Sequence, residues 1–297
     1  MRPAAPIALD GLRHFPLPSL DGAHDKDGRG QILVVAGGRA VPGAAILTGV
    51  AALRAGAGKL QLAASADRAT ALGLAVPEAA VILAATDANG EFTAAAAGDL
   101  RDKAQCADAV TIGPGLVDEA LATALACALI DGAPDRAFLV DAGALTGLIG
   151  HADVTRRLNG RLVVTPHAGE MARLSGRDKR EVLADPLGVA RAVAARLQAV
   201  VALKGPDTFV VTPSGEAFRH EGGGVGLATS GSGDVLAGVI GGLLARGAGP
   251  LTATLWGVCV HGAAGAELGR QIGRVGFLAR ELLDVTPRVL ARAEAAI

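Results

Sequence analysis

The chain of 297 residues has no Tyr, a single Trp, and aromatic residues at only 2%. Proteins that hold single-stranded nucleic acid stack bases on aromatic rings beside basic grooves, so this composition argues against that class. The formal net charge is −1, and no basic surface is implied. Cysteine is scarce as well. Cys106, Cys127 and Cys259 are odd in number and widely spaced, with no CxxC and no metal-ligand spacing. Free thiols in a reducing cytoplasm are the simplest reading. The N-terminus, Met1-Arg2-Pro3-Ala4-Ala5-Pro6, lacks the apolar core of a signal peptide. One uncharged segment, 247–266, has about the length needed to span a bilayer. Pro250, Thr252, Thr254, His261 and several glycines interrupt it, so it reads as a buried helix and no membrane association is expected.

What the chain has is apolar bulk and glycine. Hydrophobic residues make up 51% and there are 42 glycines, enough for a large core and many tight strand-to-helix turns. Gln31 to Gly38 reads as a buried strand ending in a glycine turn, and a helix follows from Gly43 to about Ala55. Lys59 to Ala63 is the next strand, which completes a β-α-β unit and favours a parallel sheet. Further strands are expected at 80–83, 109–112, 138–140, 162–164 and 200–203. Thr208–Val211 and Glu216–Arg219 read as a hairpin around Pro213-Ser214-Gly215. Helices are expected over 118–130 and 186–197, and three apolar ones near 234–246, 251–269 and 276–294 finish the chain. No internal repeat or linker-like break appears. Residues 1–25 read as a Pro-rich N-terminal arm and 26–297 as one α/β domain around a central, mostly parallel sheet.

Chemistry in such sheets belongs at the carboxyl ends of the strands. Gly113-Pro114-Gly115, Asp141-Ala142-Gly143, His167, Lys204-Gly205 and the loop before Asp234 all follow strands or begin helices. Standard nucleotide motifs fail. Gly56-Ala57-Gly58-Lys59 looks like a phosphate loop, but Leu60 replaces the Ser/Thr and Leu53 stands at the first glycine position. The stretch Thr229-Ser230-Gly231-Ser232-Gly233-Asp234 is the best candidate. Free N–H groups and the positive end of the dipole gather at a helix start, and glycines let a phosphate approach them. Asp234 there is either a helix cap or a base beside a bound anion. His167 is either a cap or a ligand contact, and Lys204 either a solvated strand end or a bridge between phosphate oxygens. Capping is the favoured role for Glu170.

Taken in order and spacing, several stretches point one way. They are Pro42-Gly43-Ala44, Ala51 to Lys59, Ile112-Gly113-Pro114-Gly115-Leu116, Asp141 to Leu145, Thr165 to Glu170, Leu203-Lys204-Gly205 and Gly231-Ser232-Gly233-Asp234. Over about Lys26 to Leu290 the chain resembles the ADP-dependent NAD(P)H-hydrate dehydratases of the ribokinase-like superfamily. The resemblance implies a single-domain three-layer α/β/α sandwich. It implies that Ala44, Gly115, His167 and Asp234 contact the hydrated dinucleotide. Lys204, Gly205, Pro206, Asp207, Thr208 and Gly233 would contact the adenine nucleotide. The implied reaction dehydrates (6S)-NADHX or NADPHX to NADH or NADPH with ADP as co-substrate, releasing AMP and phosphate. Asp234 would act as general base, with Mg²⁺ bridging the phosphates. The family's metal ligands are not carried over to named residues. A tetramer is expected from the resemblance, as is a stand-alone dehydratase without the family's epimerase domain. Two positions depart from the family's pattern: Arg39, where Ser is frequent, and Val117, where Gly is frequent. An ATP-dependent kinase acting on a vitamin-like alcohol, or a nucleotide-binding regulator without turnover, would use the same loop.

Overall fold

Short apolar runs punctuated by glycine, proline, threonine or charge form the central strands. The structure, a computed structural model, describes residues 3–20 and 25–296. Its strands are β1 (Ala5–Pro6), β2 (Gln31–Val35), β3 (Lys59–Ala64), β4 (Ala79–Leu83), β5 (Ala109–Ile112), β6 (Ala137–Val140), β7 (Leu162–Val164), β8 (Ala199–Leu203), β9 (Asp207–Val211) and β10 (Ala217–Glu221). Its helices are α1 (Gly43–Arg54), α2 (Ala66–Ala75), α3 (Ala96–Cys106), α4 (Glu119–Gly132), α5 (Ala152–Arg156), α6 (Ala168–Ser175), α7 (Lys179–Ala184), α8 (Pro186–Leu197), α9 (Ser232–Ala245), α10 (Pro250–Gln271) and α11 (Ala279–Ala295). The ten strands form one sheet in the order β1-β10-β9-β8-β7-β6-β5-β2-β3-β4. From β8 to β4 all neighbours run parallel, while β9 is antiparallel to both β8 and β10.

Both faces of the sheet are covered, which explains the unbroken apolar runs. Strand side chains alternate between two cores. Ile32, Val34, Leu139, Val163, Val200 and Ala202 point into one, together with residues of α1, α9, α10 and α11. Leu33, Val35, Val110, Ile112, Phe138 and Val201 point into the other, with residues of α3, α4, α6 and α8. This is the three-layer α/β/α sandwich. Burying side chains such as these stabilises the fold by about 25 cal/mol for each Å² of apolar surface removed from water.

The chain leaves β2 for β3 and β4 on one side, then returns through β5 to β6, β7 and β8 on the other. The order therefore reverses between β2 and β5. The helix after β2 packs in one core and the helix after β5 in the other, so a crevice opens at the carboxyl ends of these two strands.

The terminal apolar helices pack closely because glycines let them. A β-carbon on Gly238 of α9 would lie 2.2 Å from the Thr48 carbonyl oxygen of α1, and one on Gly242 would lie 2.4 Å from that of Ala52. The segment 247–266 lies mostly within α10, whose buried stretch includes Leu255, Trp256 and Val260. Among the described residues no helix is long and apolar enough to cross a membrane. The described part of the arm is ordered against the body. Its β1 pairs with β10, a 3₁₀ helix covers Leu9–His14, and Trp256 Nε1 donates to the Phe15 carbonyl at 2.7 Å. Residues 21–24 of the arm lie outside the described residues.

Three expectations are adjusted. Helix α9 starts at Ser232, so Ser232 and Gly233 belong to its first turn rather than to the loop. The hairpin arms run Asp207–Val211 and Ala217–Glu221, with Asp207 and Thr208 inside a strand. The turn at Lys204 to Pro206 is also a hairpin, since β8 and β9 are antiparallel.

Candidate active site

Strand ends β5, β6, β7 and β8 and the start of α9 converge on one region. Gly231, the N-cap of α9, has φ +86°, a left-handed conformation that favours glycine. A β-carbon there would also meet Leu47 Cδ1 at 2.6 Å. No side chain caps α9. Asp234 is therefore not the cap that its position suggested. Its backbone carbonyl accepts from Thr48 Oγ1 of α1 at 3.2 Å, which ties the first turn of α9 to α1. Burial pushes the Asp234 carboxyl up to about 6, and the neighbouring Asp141 carboxylate adds to this; Lys204 opposes it and Glu170 reinforces it.

Lys204 is not a solvated strand end. Its side chain is 19% exposed, and its Nζ donates to Asp141 Oδ1 at 2.9 Å and lies 3.7 Å from Glu170 Oε2. Burial works against its charge, but the Asp141, Glu170 and Asp234 carboxylates outweigh that, and its pKa is raised. A β-carbon on Gly233 would sit 3.5 Å from Nζ, so the ammonium lies directly beside the first turn of α9. Asp141, 2% exposed, follows directly after β6 and is the anchor that aims this ammonium.

His167 is a helix cap. Its Nδ1 accepts from the N–H groups of Gly169 at 2.9 Å and Glu170 at 3.1 Å, and Glu170 Oε2 accepts from His167 N at 2.7 Å. This is a reciprocal capping box at the start of α6. Because Nδ1 accepts, a neutral imidazole carries its proton on Nε2. The side chain is 55% exposed, and its Nε2 lies 3.5 Å from Glu170 Oε1. The Lys204 N–H donates to the Pro166 carbonyl at 2.8 Å, which sets His167 and Lys204 side by side.

Ala44 and Gly115 meet at the reversal of strand order. Gly115 has φ +70°, and a β-carbon on it would lie 2.5 Å from Ala44 Cβ. Gly38 N donates to the Gly115 carbonyl at 3.0 Å. Ala44 itself is 1% exposed. Gly205 and Pro206 are exposed in the β8–β9 turn. Asp207 accepts from Arg219 Nε at 3.0 Å and its second nitrogen at 2.8 Å. Thus Lys204, Gly233, Asp234 and His167 gather at one end, and Ala44 with Gly115 at the other.

Four contributors carried no site role in the sequence. Asp141 lies in a quoted motif, and Glu170 was read only as a cap; their shared contact with Lys204 spans three strands. Thr48 and His261 gave no signal at all. His261, on α10, places Nε2 3.1 Å from both the hydroxyl and the carbonyl oxygen of Ser232. Burial pushes its pKa down to about 4, so it supports the first turn of α9 as a neutral ring.

No group of three or more His, Cys, Asp or Glu suited to a metal occurs among the described residues. Asp141, Glu170 and Asp234 nevertheless outnumber the single Lys204 ammonium. Such a surplus of carboxylate suits Mg²⁺ held mainly by nucleotide phosphates, its usual mode. The residues fit the ion in that form.

Comparison with known proteins gives consistent results. The family described as NAD(P)H-hydrate dehydratase matches residues 32–288. The ADP-dependent (S)-NAD(P)H-hydrate dehydratase of Xanthomonas campestris pv. campestris is 47% identical over 290 residues, 96% of each chain. The ADP/ATP-dependent NAD(P)H-hydrate dehydratase of Bacillus subtilis, co-crystallised with ATP and Mg²⁺, superposes with a TM-score of 0.79 at 29% identity, covering 99% of this chain and all of that one. A ribokinase-like superfamily protein from Enterococcus faecalis, at 24% identity and a TM-score of 0.79, shares the fold. With its sheet order, its glycine-started α9 and this match over nearly its whole length, the chain belongs to the NAD(P)H-hydrate dehydratase family.

Proposed function

We propose that the protein dehydrates (6S)-NADHX and NADPHX to the reduced dinucleotides, with ADP as phosphoryl donor and AMP and phosphate as products. The observation that carries this reading is Asp234. It is a carboxylate of raised pKa in the first turn of an uncapped helix, with the Lys204 ammonium beside the same turn. A hydroxyl is a poor leaving group and a phosphate ester a good one. Asp234 takes the proton of the substrate hydroxyl while its oxygen attacks the terminal phosphoryl. N–H groups at the start of α9 and the Lys204 ammonium stabilise the charge on the phosphoryl oxygens. The ring nitrogen then expels phosphate, and a proton leaves the adjacent ring carbon. Mg²⁺, when bound, neutralises phosphate charge.

In this reading Lys204, Gly205, Pro206, Asp207, Thr208 and Gly233 border the adenine nucleotide. His167, half-exposed beside Lys204, borders the dinucleotide. Buried Ala44 sets the spacing of the crevice floor by packing on Gly115. The three cysteines carry free thiols, which supports a cytoplasmic setting. Exposed Ile272, Val275 and Leu278 lie in one stretch between α10 and α11, which supports a surface covered by other subunits of a tetramer. The test is to mix the protein with NADHX and ADP and to follow reduced-nicotinamide absorbance together with AMP and phosphate. Stoichiometric AMP and phosphate are expected. A stable phosphorylated product, or no product, would reject the reading.

A further inference from the structure

The reversal of strand order opens into a cleft of ≈ 550 Å³ lined by Arg39, Ala40, Asn89, Glu91, Val117 and Asp118. Three loops build it: the one after β2, the one after β4 and the one after β5. Arg39 and Val117 thus face the same space. It adjoins the site, because Gly38 N donates to the Gly115 carbonyl and Val117 is two residues beyond Gly115.

The charged groups here are not equally available. Asp118 accepts from Leu121 N at 3.0 Å as the cap of α4. Glu91 Oε2 accepts from Val117 N at 3.3 Å, and a β-carbon on Gly38 would lie 2.6 Å from Glu91 Oε1. Asp67, which senses Arg39 electrostatically, bonds the Ser65 hydroxyl and pairs with Arg68. Arg39 runs along Gly90, where a β-carbon would meet its Cβ at 3.1 Å and its Cδ at 3.2 Å. It is exposed, and it makes no hydrogen bond or ion pair among the described residues. Among the described residues its guanidinium is the cationic group of the cleft, and it has no partner there.

We propose that Arg39 is a specificity-determining residue that binds the 2′-phosphate of the dinucleotide and makes NADPHX the preferred substrate. The inference rests on the proposed function. With the hydrated ring at Asp234 and His167, the dinucleotide runs along the strand ends from β7 to β2. That path crosses three inter-strand steps of about 4.8 Å, roughly 14 Å, and brings the adenosine half to the cleft. A guanidinium fork matches a phosphomonoester dianion. Without Arg39 the Glu91 and Asp118 carboxylates would repel that phosphate and suit bare ribose hydroxyls, the pairing used for unphosphorylated dinucleotides. One side chain therefore sets the sign of the preference.

The test compares KM and kcat for NADPHX and NADHX, each with ADP and Mg²⁺, in the wild type and in Arg39→Ser. The wild type is expected to show the lower KM for NADPHX. Arg39→Ser should raise that KM about ten-fold or more, the loss of hydrogen bonds to a charged group, and leave the NADHX value within about two-fold. Equal changes for both substrates would assign Arg39 to the shared diphosphate or to nothing, and would overturn the proposal. If the wild type turns over neither hydrate, the proposed function fails, and calorimetry with NADPH and NADH as probes still decides the role of Arg39. A loss of affinity confined to NADPH supports it, and parallel losses or none overturn it. Thermal denaturation checks that the exposed substitution leaves the fold intact.

Discussion

Asp234 combines two properties that seldom meet by accident: a carboxyl pushed up to about 6, chiefly by burial, and a place in a helix start that it does not cap. As the base it must be ionised, so kcat/KM should rise with pH through about 6 and then level off. Asp234→Asn should lose about 10²–10⁴-fold in rate and lose that inflection, while ADP affinity holds or tightens. Near-normal turnover by the Asn variant would sink the mechanism. The raised pKa also fixes a sign in stability. Between about 3.8 and about 6 the folded state holds the proton more tightly than the unfolded one, so this group's contribution falls as pH rises through that window. Asp234→Asn should then melt no lower than wild type at pH above 6, and the difference should shrink below it. Lys204 has a double role. Lys204→Met should weaken ADP binding, and it should also cost roughly 3–5 kcal/mol by leaving Asp141 buried without its partner. The double variant Lys204→Met with Asp141→Asn should recover melting temperature but not ADP affinity. Calorimetry and melting curves on the pair separate the two roles, and unchanged ADP affinity in Lys204→Met would remove it from the site.

Helix α9 is the element on which the site hangs, and two neighbours hold its first turn. Thr48 of α1 reaches the Asp234 carbonyl, and His261 of α10 reaches Ser232. The approach of α1 depends on Gly238. Gly238→Ala would press a methyl to 2.2 Å from the Thr48 carbonyl, so the helices must part, at a cost of about 1–3 kcal/mol. Gly43→Ala, with nothing within 4 Å of the added carbon, is the control and should leave melting unchanged. If Gly238→Ala melts like wild type and keeps its rate, the crossing is not what sets Asp234. His261 gives the element a pH signature of its own. Its folded pKa of about 4 lies below the ordinary 6.5, chiefly through burial. The unfolded chain therefore binds more protons between those values, and stability should fall as pH drops from about 6.5 to about 4. In His261→Gln this part of the melting-temperature profile should flatten, and an unchanged profile would show that another group titrates there.

The whole molecule is closed at one edge by its own beginning. Strand β1 pairs with β10, Phe15 and Phe218 meet edge to face with ring centroids 5.4 Å apart, and the chain's single Trp, Trp256, is fully buried under the arm. Such an aromatic pair contributes about 0.5–1.5 kcal/mol beyond its buried area. Removing residues 1–20 should lower the melting temperature and shift Trp256 fluorescence to the red. An unchanged spectrum would show that the arm does not shield the core. The same scale governs substrate reach, since the site runs from β8 to β2 across the sheet and no single loop contains it.

Local pattern carried the central strands β2, β5, β6, β7 and β8, because each is a short apolar run buried on both faces. Helix α8 and strands β5 and β7 have the bounds that their periodicity and punctuation predict. The hairpin at Lys204 to Pro206 was less legible, since a lysine and a glycine after a strand suit a helix start as well as a reversal. Motif order along the chain sufficed for the family and for the loop before Asp234. What the sequence could not decide were choices between roles that use the same residue. Whether Lys204 ends in water, and how far the Asp234 carboxyl is pushed up, depend on atoms from distant strands. Asp141, Glu170, Thr48 and His261 entered the site only through the fold, because sheet order and the crossing of α1 with α9 bring together groups that sequence separation hides. Short-range propensity and burial pattern are written in neighbouring residues. Electrostatic environment is a sum over space, and only the folded chain defines it.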